Sequence, residues 1–502
     1  MFEIVVQSFF NILSLQNILL IIAGVSLGTI IGAIPGLGPA MVIAILIPFT
    51  FYLDPLTSII FLIAIYKGGF YGGSVSAILI GVPGAPPAAA TVMDGYPMSK
   101  QGKAGKALKM ALFASVFGDV FGNLCLIIVA LPLVKLALKF GPPEKFSILV
   151  LSLSVIGGVS GQSLLRGLVA SMMGLIFSMV GTDTITAVER FNFGILELSD
   201  GIALVPLMIG LFAISEVLML AEKKGIDSKT ESASIQSTPG GDRLPFSEFR
   251  KYLRTLFEGS AIGAFIGALP GLGGSISAFM SYGRAMNRSK NPEKFGKGTV
   301  EGVAAAEVAN NASCGAALIP LITLGIPGDI ATAVLLGAFL IHGMLPGPTL
   351  IPEHPEVMYP LFVGLLICNV FMLPIGLLCI KYASRVASMR KSVVFSIVLV
   401  MCIVGAYGVS GRLFDVYVTV FFGVIGYLMR KFDFPLAPFL IAFILGNMVE
   451  ETFRQSMIIS GGSVGIFFTE PISLICLIAT FLMLIAVARS RKRMGMGVRK
   501  ND

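Results

Sequence analysis

The sequence predicts an all-α polytopic membrane protein, and three observations carry that prediction. The first is composition. Of 502 residues, 55% are apolar and 13% charged, and the mean hydropathy is +0.90. A soluble chain carries about a quarter charged residues. The second is the recurrence of apolar runs, such as Ala111–Leu133, Ala203–Leu220, Leu361–Ile380 and Ile472–Val487. Each is near the roughly 20 residues that cross a bilayer as a helix, whereas a β-barrel shows short alternating segments. The third is a pair of near-identical breaker strings inside apolar runs, "GAIPGLGPA" at Gly32–Ala40 and "GALPGLGGS" at Gly267–Ser275.

The remaining composition narrows the function. The net charge of +8 comes largely from loop lysines and arginines, as the orientation rule for membrane proteins expects. No basic helix or aromatic platform accompanies it, so nucleic-acid binding is not expected. The six cysteines stand singly and the only histidines are His342 and His354, so no metal site is expected. No cleavable signal pattern opens the chain. The basic tail "RSRKRMGMGVRK" reads as a cytoplasmic anchor.

The breaker strings belong to longer repeats. "GTIIGAIPGLGPA" (Gly28–Ala40) matches "GAFIGALPGLGGS" (Gly263–Ser275) without a gap, and "ILIGVPGAPPA" (Ile78–Ala88) later matches "ITLGIPGDIAT" (Ile322–Thr332). Loop charges reverse between the copies. The first is followed by the basic "KQGKAGKALK" (Lys100–Lys109); the second is preceded by "RKYLR" (Arg250–Arg254) and followed by Leu345–Val357, without Lys or Arg. Reversed bias predicts inverted-topology repeats.

The second copy adds arithmetic. Basic residues flank Leu256–Gly283 on both sides, yet it holds only 28 residues, and two full crossings need about 40. A re-entrant hairpin over 256–283 fits, with its turn at Pro270–Gly274; 17–51 reads likewise, with its turn at Pro35–Gly38. One long proline-kinked helix is the alternative. The expected organisation is a first half over 1–221 (hairpin 17–51, broken helix 57–98), a cytoplasmic linker over 222–248, and a second half over 249–502 (hairpin 256–283, broken helix 299–346). That gives about 11 crossings plus two hairpins.

The breaks are the expected site. Non-helical backbone at membrane depth is tolerated where protein buries it or it lines a watery cavity. Paired inverted breaks mark the binding site of a transporter, because a restarting helix offers unpaired N–H groups and a positive dipole end to an anion. The expected substrate-binding set is therefore Pro35, Gly36, Leu37 and Gly38; Gly84; Gly271, Leu272, Gly273, Gly274 and Ser275; and Gly328. Pro39 and Pro86 suit first helical turns, and Ser275 and Asp329 suit N-caps. Lys67, Gly68, Asn310, Asn311 and Ser313 lie just upstream of the second breaks and join the set, since intramembrane polar groups are functional candidates. Snorkelling of Lys67 and helix association through the Asn pair are their structural alternatives. Asp119, Asn123 and Asp329 are coupling-ion candidates, with an interhelix contact and a cap as the alternatives. Glu216 reads as interfacial.

These strings resemble a known family. "GAIPGLGPAM", "KGGFYGGSVSAILIGVPGAP", "DGYPMSKQGKAGKAL", "ALPGLGGSISAF", "EGVAAAEVANNAS" and "ITLGIPGD" are similar to the large membrane subunit of the tripartite tricarboxylate transporters (TctA-like), from about Ile18 to the final apolar span. The resemblance implies a bacterial inner-membrane, multi-pass permease with a cytoplasmic C-terminus. It implies uptake of a tricarboxylate or related carboxylate by an ion gradient, sodium or proton, with no other cofactor. It implies two partners, a small membrane subunit (TctB-like) and a periplasmic solute-binding protein (TctC-like). Combined with the repeats, it points to an elevator-like arrangement. A passive anion channel and a polytopic membrane enzyme are the alternatives. An enzyme is not expected, since no HExxH, paired Asp motif or nucleophile with a His partner occurs.

Overall fold

The computed structural model describes residues 10–159, 163–183, 185–222, 242–387 and 391–498. Most of the expected linker, 223–241, lies outside the described residues. The described residues are overwhelmingly helical, with one antiparallel pair of two-residue strands, Gly181–Thr182 and Glu189–Arg190.

The helices follow the apolar runs. The first copy gives α1 (Leu15–Gly32), α2 (Pro39–Thr50), α3 (Pro55–Ile80) and α4 (Ala89–Lys100), then α5 (Ala104–Ala137). Next come α6 (Pro142–Val159), α7 (Leu164–Ser178) and α8 (Leu204–Glu222). The second copy gives α9 (Leu253–Gly267), α10 (Gly273–Arg288), α11 (Val300–Ala316), α12 (Leu318–Leu324) and α13 (Ile330–Ile341). The last five are α14 (Pro355–Ala387), α15 (Lys391–Ser410), α16 (Leu413–Lys431), α17 (Leu436–Ile459) and α18 (Pro471–Val498). Among the described residues, seven helices are long and apolar enough to cross a membrane. The arms at the breaks, such as α2 and α13, are apolar but shorter.

Local chemistry sets the boundaries. Ser14 caps α1 by accepting from the Asn17 N–H, and Asp54 caps α3 by accepting from the Thr57 N–H at 3.0 Å. Pro39 opens α2 and Pro55 opens α3, where their missing N–H groups cost nothing. α3 and α12 both stop on a left-handed glycine, Gly81 (φ 71°) and Gly325 (φ 72°). These are equivalent residues of "GVPG" and "GIPG", and only glycine takes that conformation without strain.

The chain groups into two compact units, each drawn from both halves: Met1–Val134 with Glu216–Gly411, and Lys135–Ser215 with Arg412–Asp502. In the first unit α3 is central, and its apolar window is wholly buried. Such burial requires close helix approach, and glycines provide it. Gly24, Gly28 and Gly32 stripe α1 where it meets α3; a Cβ on Gly28 would lie 2.3 Å from the Ile65 carbonyl oxygen. Gly259, Gly263 and Gly267 stripe α9 in the same way against α11; a Cβ on Gly263 would lie 2.4 Å from the Ala309 carbonyl oxygen. Gly118 and Gly122 of α5 press on α11, meeting the carbonyls of Val308 and Ala312. Small residues let backbones approach where lipid offers no hydrophobic drive between helices.

In the second unit, Gly174 of α7 meets the Phe439 carbonyl of α17, and a π turn at Ile209–Ile214 in α8 sets Gly210 against the Thr419 carbonyl of α16. Asp183 accepts from Arg454 Nη1 at 2.7 Å and also pairs with Arg190, which holds Glu450 at 2.9 Å.

Gly28→Ala and Gly263→Ala are each expected to destabilise the protein by about 1–3 kcal/mol through overpacking, lowering the thermal transition in detergent. Gly283→Ala, whose Cβ would meet nothing within 4 Å, should leave the transition within a degree or so of its parent. Equal shifts at all three positions would contradict the packing account.

Candidate functional site

The two breaker strings form turns that share one left-handed glycine and diverge two residues later, where Gly38 is extended (φ −71°) and Gly273 left-handed (φ 62°). In the first, Gly36 is left-handed (φ 92°); in the second, Gly271 is (φ 79°). Each turn sits against the break that follows it in its own copy. The Gly271 N–H donates to the Gly328 carbonyl at 2.9 Å. Gly84 meets the Gly32 carbonyl so closely that a Cβ would lie 2.1 Å from its oxygen, and its own N–H donates to the Gly73 carbonyl.

Neither restarting arm is capped by a side chain: α2 starts after Gly38, and α10 starts after Leu272. Ser275, expected as a cap, lies inside the first turn of α10, because that helix begins at Gly273. Asp329 does cap. Its Oδ1 accepts from the Thr332 N–H at 2.7 Å while its own N–H donates to Thr332 Oγ1 at 2.8 Å, a complete capping box for α13. Tyr66 of α3 donates its hydroxyl to Asp329 Oδ2 at 2.6 Å, joining the first copy to the break of the second.

The second turn therefore gathers much of the expected set. Asn310 and Ser313 of α11 face Gly274: a Cβ there would lie 2.8 Å from Asn310 Oδ1, 3.0 Å from Ser313 Oγ and 3.2 Å from the Phe70 ring. Asp329 borders Gly273. Asn310 is 1% exposed, and neither its Oδ1 nor its Nδ2 has a hydrogen-bond partner among the described residues. An unmet buried amide costs about 1–3 kcal/mol. Here it adjoins a helix start with no side-chain cap, where the first N–H groups have no intrahelical partner.

At the first turn the neighbour is a carboxylate. Glu216 Oε1 lies 3.2 Å from where a Cβ of Gly36 would be. The sequence places Glu216 at an interface; in the structure α8 carries it to the breaker string.

Other expected residues lie elsewhere in the unit. Gly68 is consumed in helix contact, where a Cβ would lie 2.4 Å from the Val25 carbonyl oxygen. Lys67 is 1% exposed, and its ammonium donates to Asp119 Oδ1 and Oδ2 at 2.7 Å each and to Asn123 Oδ1 at 2.9 Å. An ammonium has three hydrogens, so these bonds use its full capacity. Asn311 Nδ2 donates to Ser115 Oγ at 2.8 Å and to the Glu307 carbonyl at 3.1 Å.

That last contact leads to a residue the sequence analysis missed. Glu307 of α11 is fully buried. Its Oε1 accepts from Ser74 Oγ of α3 at 2.5 Å and from Thr91 Oγ1 of α4, and its Oε2 from Ser115 Oγ of α5 at 3.0 Å. The available signal was an ionisable residue in an apolar broken segment, one turn before Asn311. A second buried carboxylate, Asp94, accepts from the N–H groups of Gly298 and Thr299 at 2.8 and 2.9 Å and from the Tyr282 hydroxyl at 2.8 Å. It tethers α4 to the loop that opens α11.

Fold and site define a multi-pass helical membrane protein whose interior helices break against one another at paired glycine turns. The chain belongs to the tripartite tricarboxylate transporter TctA family, whose model matches residues 18–441. Membership makes it a component of a tricarboxylate transporter that has other subunits. Two similar proteins come from Agrobacterium vitis. An uncharacterized 52.8 kDa protein in the TAR-I ttuC' 3'region is 37% identical over 472 residues, covering 94% of this chain and 93% of that protein. An uncharacterized protein in the TAR-II ttuC' 3'region is 35% identical over 234 residues, covering 46% of this chain and 97% of that protein. No solved structure matches the chain.

Lys67→Met should destabilise the protein by about 3–5 kcal/mol, because it strands Asp119 as a buried unpaired charge. Adding Asp119→Leu should recover most of that loss. Thermal unfolding in detergent measures both; a lone Lys67→Met that melts like its parent would contradict the pairing.

Proposed function

We propose that the chain is the permease subunit of a secondary-active uptake system for a tricarboxylate or related carboxylate. The observation that carries this reading is Asn310, whose unpartnered buried amide faces the uncapped start of α10 at Gly273–Gly274. A carboxylate there would accept from the first N–H groups of the helix, with the positive dipole end behind them, and from the Asn310 Nδ2 once the side-chain amide turns over to present its nitrogen in place of Oδ1. Glu216 beside Gly36 is in keeping with such chemistry, as a carboxylate against the other breaker turn.

The inverted-repeat reading draws support from the shared left-handed glycines and from the equivalent stripes on α1 and α9. On it, the two hairpins enter from opposite sides, and the unit that contains both turns carries the substrate by an elevator-like movement. A periplasmic solute-binding protein delivers the carboxylate, a small membrane subunit completes the complex, and a sodium or proton gradient drives accumulation. The chain then sits in a bacterial inner membrane with its C-terminus in the cytoplasm.

Uptake of labelled tricarboxylates into vesicles that contain the complete transporter tests this. The expected result is accumulation against the concentration gradient, driven by an imposed sodium or proton gradient. Leak that ignores both gradients would favour a channel, and chemical change of the substrate an enzyme. Gly274→Val presses a side chain against Asn310 and Ser313, which a Cβ alone already reaches at 2.8 and 3.0 Å, and should cut uptake at least ten-fold. Unchanged uptake would remove the second turn from the site.

A further inference from the structure

Among the buried ionisable groups that carboxylate binding at the second turn does not use, Glu307 has company of its own kind. Glu307 is fully buried at the meeting of α3, α4, α5 and α11, and its three side-chain partners, Ser74, Thr91 and Ser115, are all hydroxyls. Three other buried carboxylates have different company. Asp119 is held by the Lys67 ammonium, Asp94 by two backbone N–H groups and a tyrosine, and Asp183 by two arginines and two backbone N–H groups. Backbone N–H groups and cationic heads only donate, so those shells favour the ionised carboxylate, and Asp94 keeps a single reversible partner in the Tyr282 hydroxyl.

A hydroxyl differs because it carries one donor hydrogen and two acceptor lone pairs. A shell of hydroxyls satisfies both forms of a carboxyl group. Toward the carboxylate all three donate. Toward the carboxylic acid, one turns to accept the acid's O–H and sends its own hydrogen to the carbonyl one helical turn earlier, as serine and threonine in helices commonly do. No heavy atom has to move. Ser115 is further oriented by the Asn311 amide, which donates to its oxygen at 2.8 Å.

Other titratable groups around Glu307 leave it this role. On α3, Lys67 is spent on Asp119, and Tyr71 is buried with a hydroxyl that has no partner among the described residues. On α4 and α5, Asp94 and Asp119 are held as described. On α9 and α10, Glu258 is held by Arg254, Arg284 and Arg288, and Tyr282 donates to Asp94. On α11 itself, Glu301 accepts from Thr255 and pairs with Arg288.

We propose that Glu307 is the proton-carrying group of the transporter, taking a proton from water on one side of the membrane and returning it to water on the other. This rests on the reading of the chain as a gradient-driven carboxylate permease. Its place supports the coupling. Glu307 lies one turn from Asn310 and Asn311 on the same helix, so its protonation state acts on the helix that presents Asn310 to the second turn. The proton is bound and released without any covalent change elsewhere.

The test uses vesicles that contain the complete transporter, an internal pH dye and labelled citrate as the probe, at a pH where citrate is fully ionised. In the parent, citrate entry should carry protons with it. In Glu307→Gln the ratio of protons to citrate should fall at least ten-fold. A variant that keeps the parent ratio, or a parent that moves citrate without protons, overturns the assignment to Glu307 and leaves the permease reading standing. A parent that moves neither citrate nor any other carboxylate overturns the permease reading, and this inference with it. Infrared difference spectra of the purified parent decide the matter if Glu307→Gln does not fold. Acidification should raise a carboxylic-acid carbonyl band, and Thr91→Val, which removes one hydroxyl from the shell, should shift it. No band, or a band that Thr91→Val leaves in place, overturns the assignment.

Discussion

The structure depends on one constraint: backbone that leaves the helix inside a membrane must still find partners. Lipid offers none, and each unmet group costs several kcal/mol. Here the breaks meet part of that need within the fold. Gly271 donates to Gly328, and Gly84 packs on the Gly32 carbonyl while donating to Gly73. These contacts need main chains closer than ordinary side chains allow, and the glycine stripes of α1 and α9 bring them there. Breaker strings and stripes are therefore one device. The strings open the helices, and the stripes press the openings together.

Charge inside the first unit follows the same economy. Lys67 and Asp119 neutralise each other while Asn123 accepts the third ammonium hydrogen, and Asp329 is absorbed by its capping box and Tyr66. Two polar residues of α11 are not neutralised in this way. Asn310 has no partner among the described residues, and Glu307 has partners that can reverse their role. Both lie on α11, one turn apart. An anion at Asn310 and a proton at Glu307 would thus bear on the same helix, which glycines of α9 and α5 grip at its backbone.

Much of this was legible in the sequence because it is local. Apolar runs mark where the helices lie, closely at α8, whereas α14 extends well beyond its run at both ends. Glycine and proline mark the breaks, since few other residues tolerate them. Gly24, Gly28 and Gly32 could have been read as a packing stripe from their four-residue spacing. What was not legible depends on distant pairing. Lys67 meets Asp119 across separate helices, and no pattern in either helix encodes that partner. Ser275 looked like a cap because the string ends there, but the left-handed Gly273 (φ 62°) starts the helix earlier. Glu307 was visible as a charge in an apolar segment; its hydroxyl shell comes from three other helices and appears only in the fold.

The central claim is that Asn310 and the start of α10 receive a carboxylate. Calorimetric titration of the purified full-length chain with citrate and related tricarboxylates, comparing the parent with Asn310→Asp, tests it most directly. The substitution keeps the shape and replaces the donor with a negative charge. A carboxylate site should lose at least ten-fold in affinity. Unchanged or tighter tricarboxylate binding would contradict the account, and a gain in sodium affinity without that loss would mark a cation site instead.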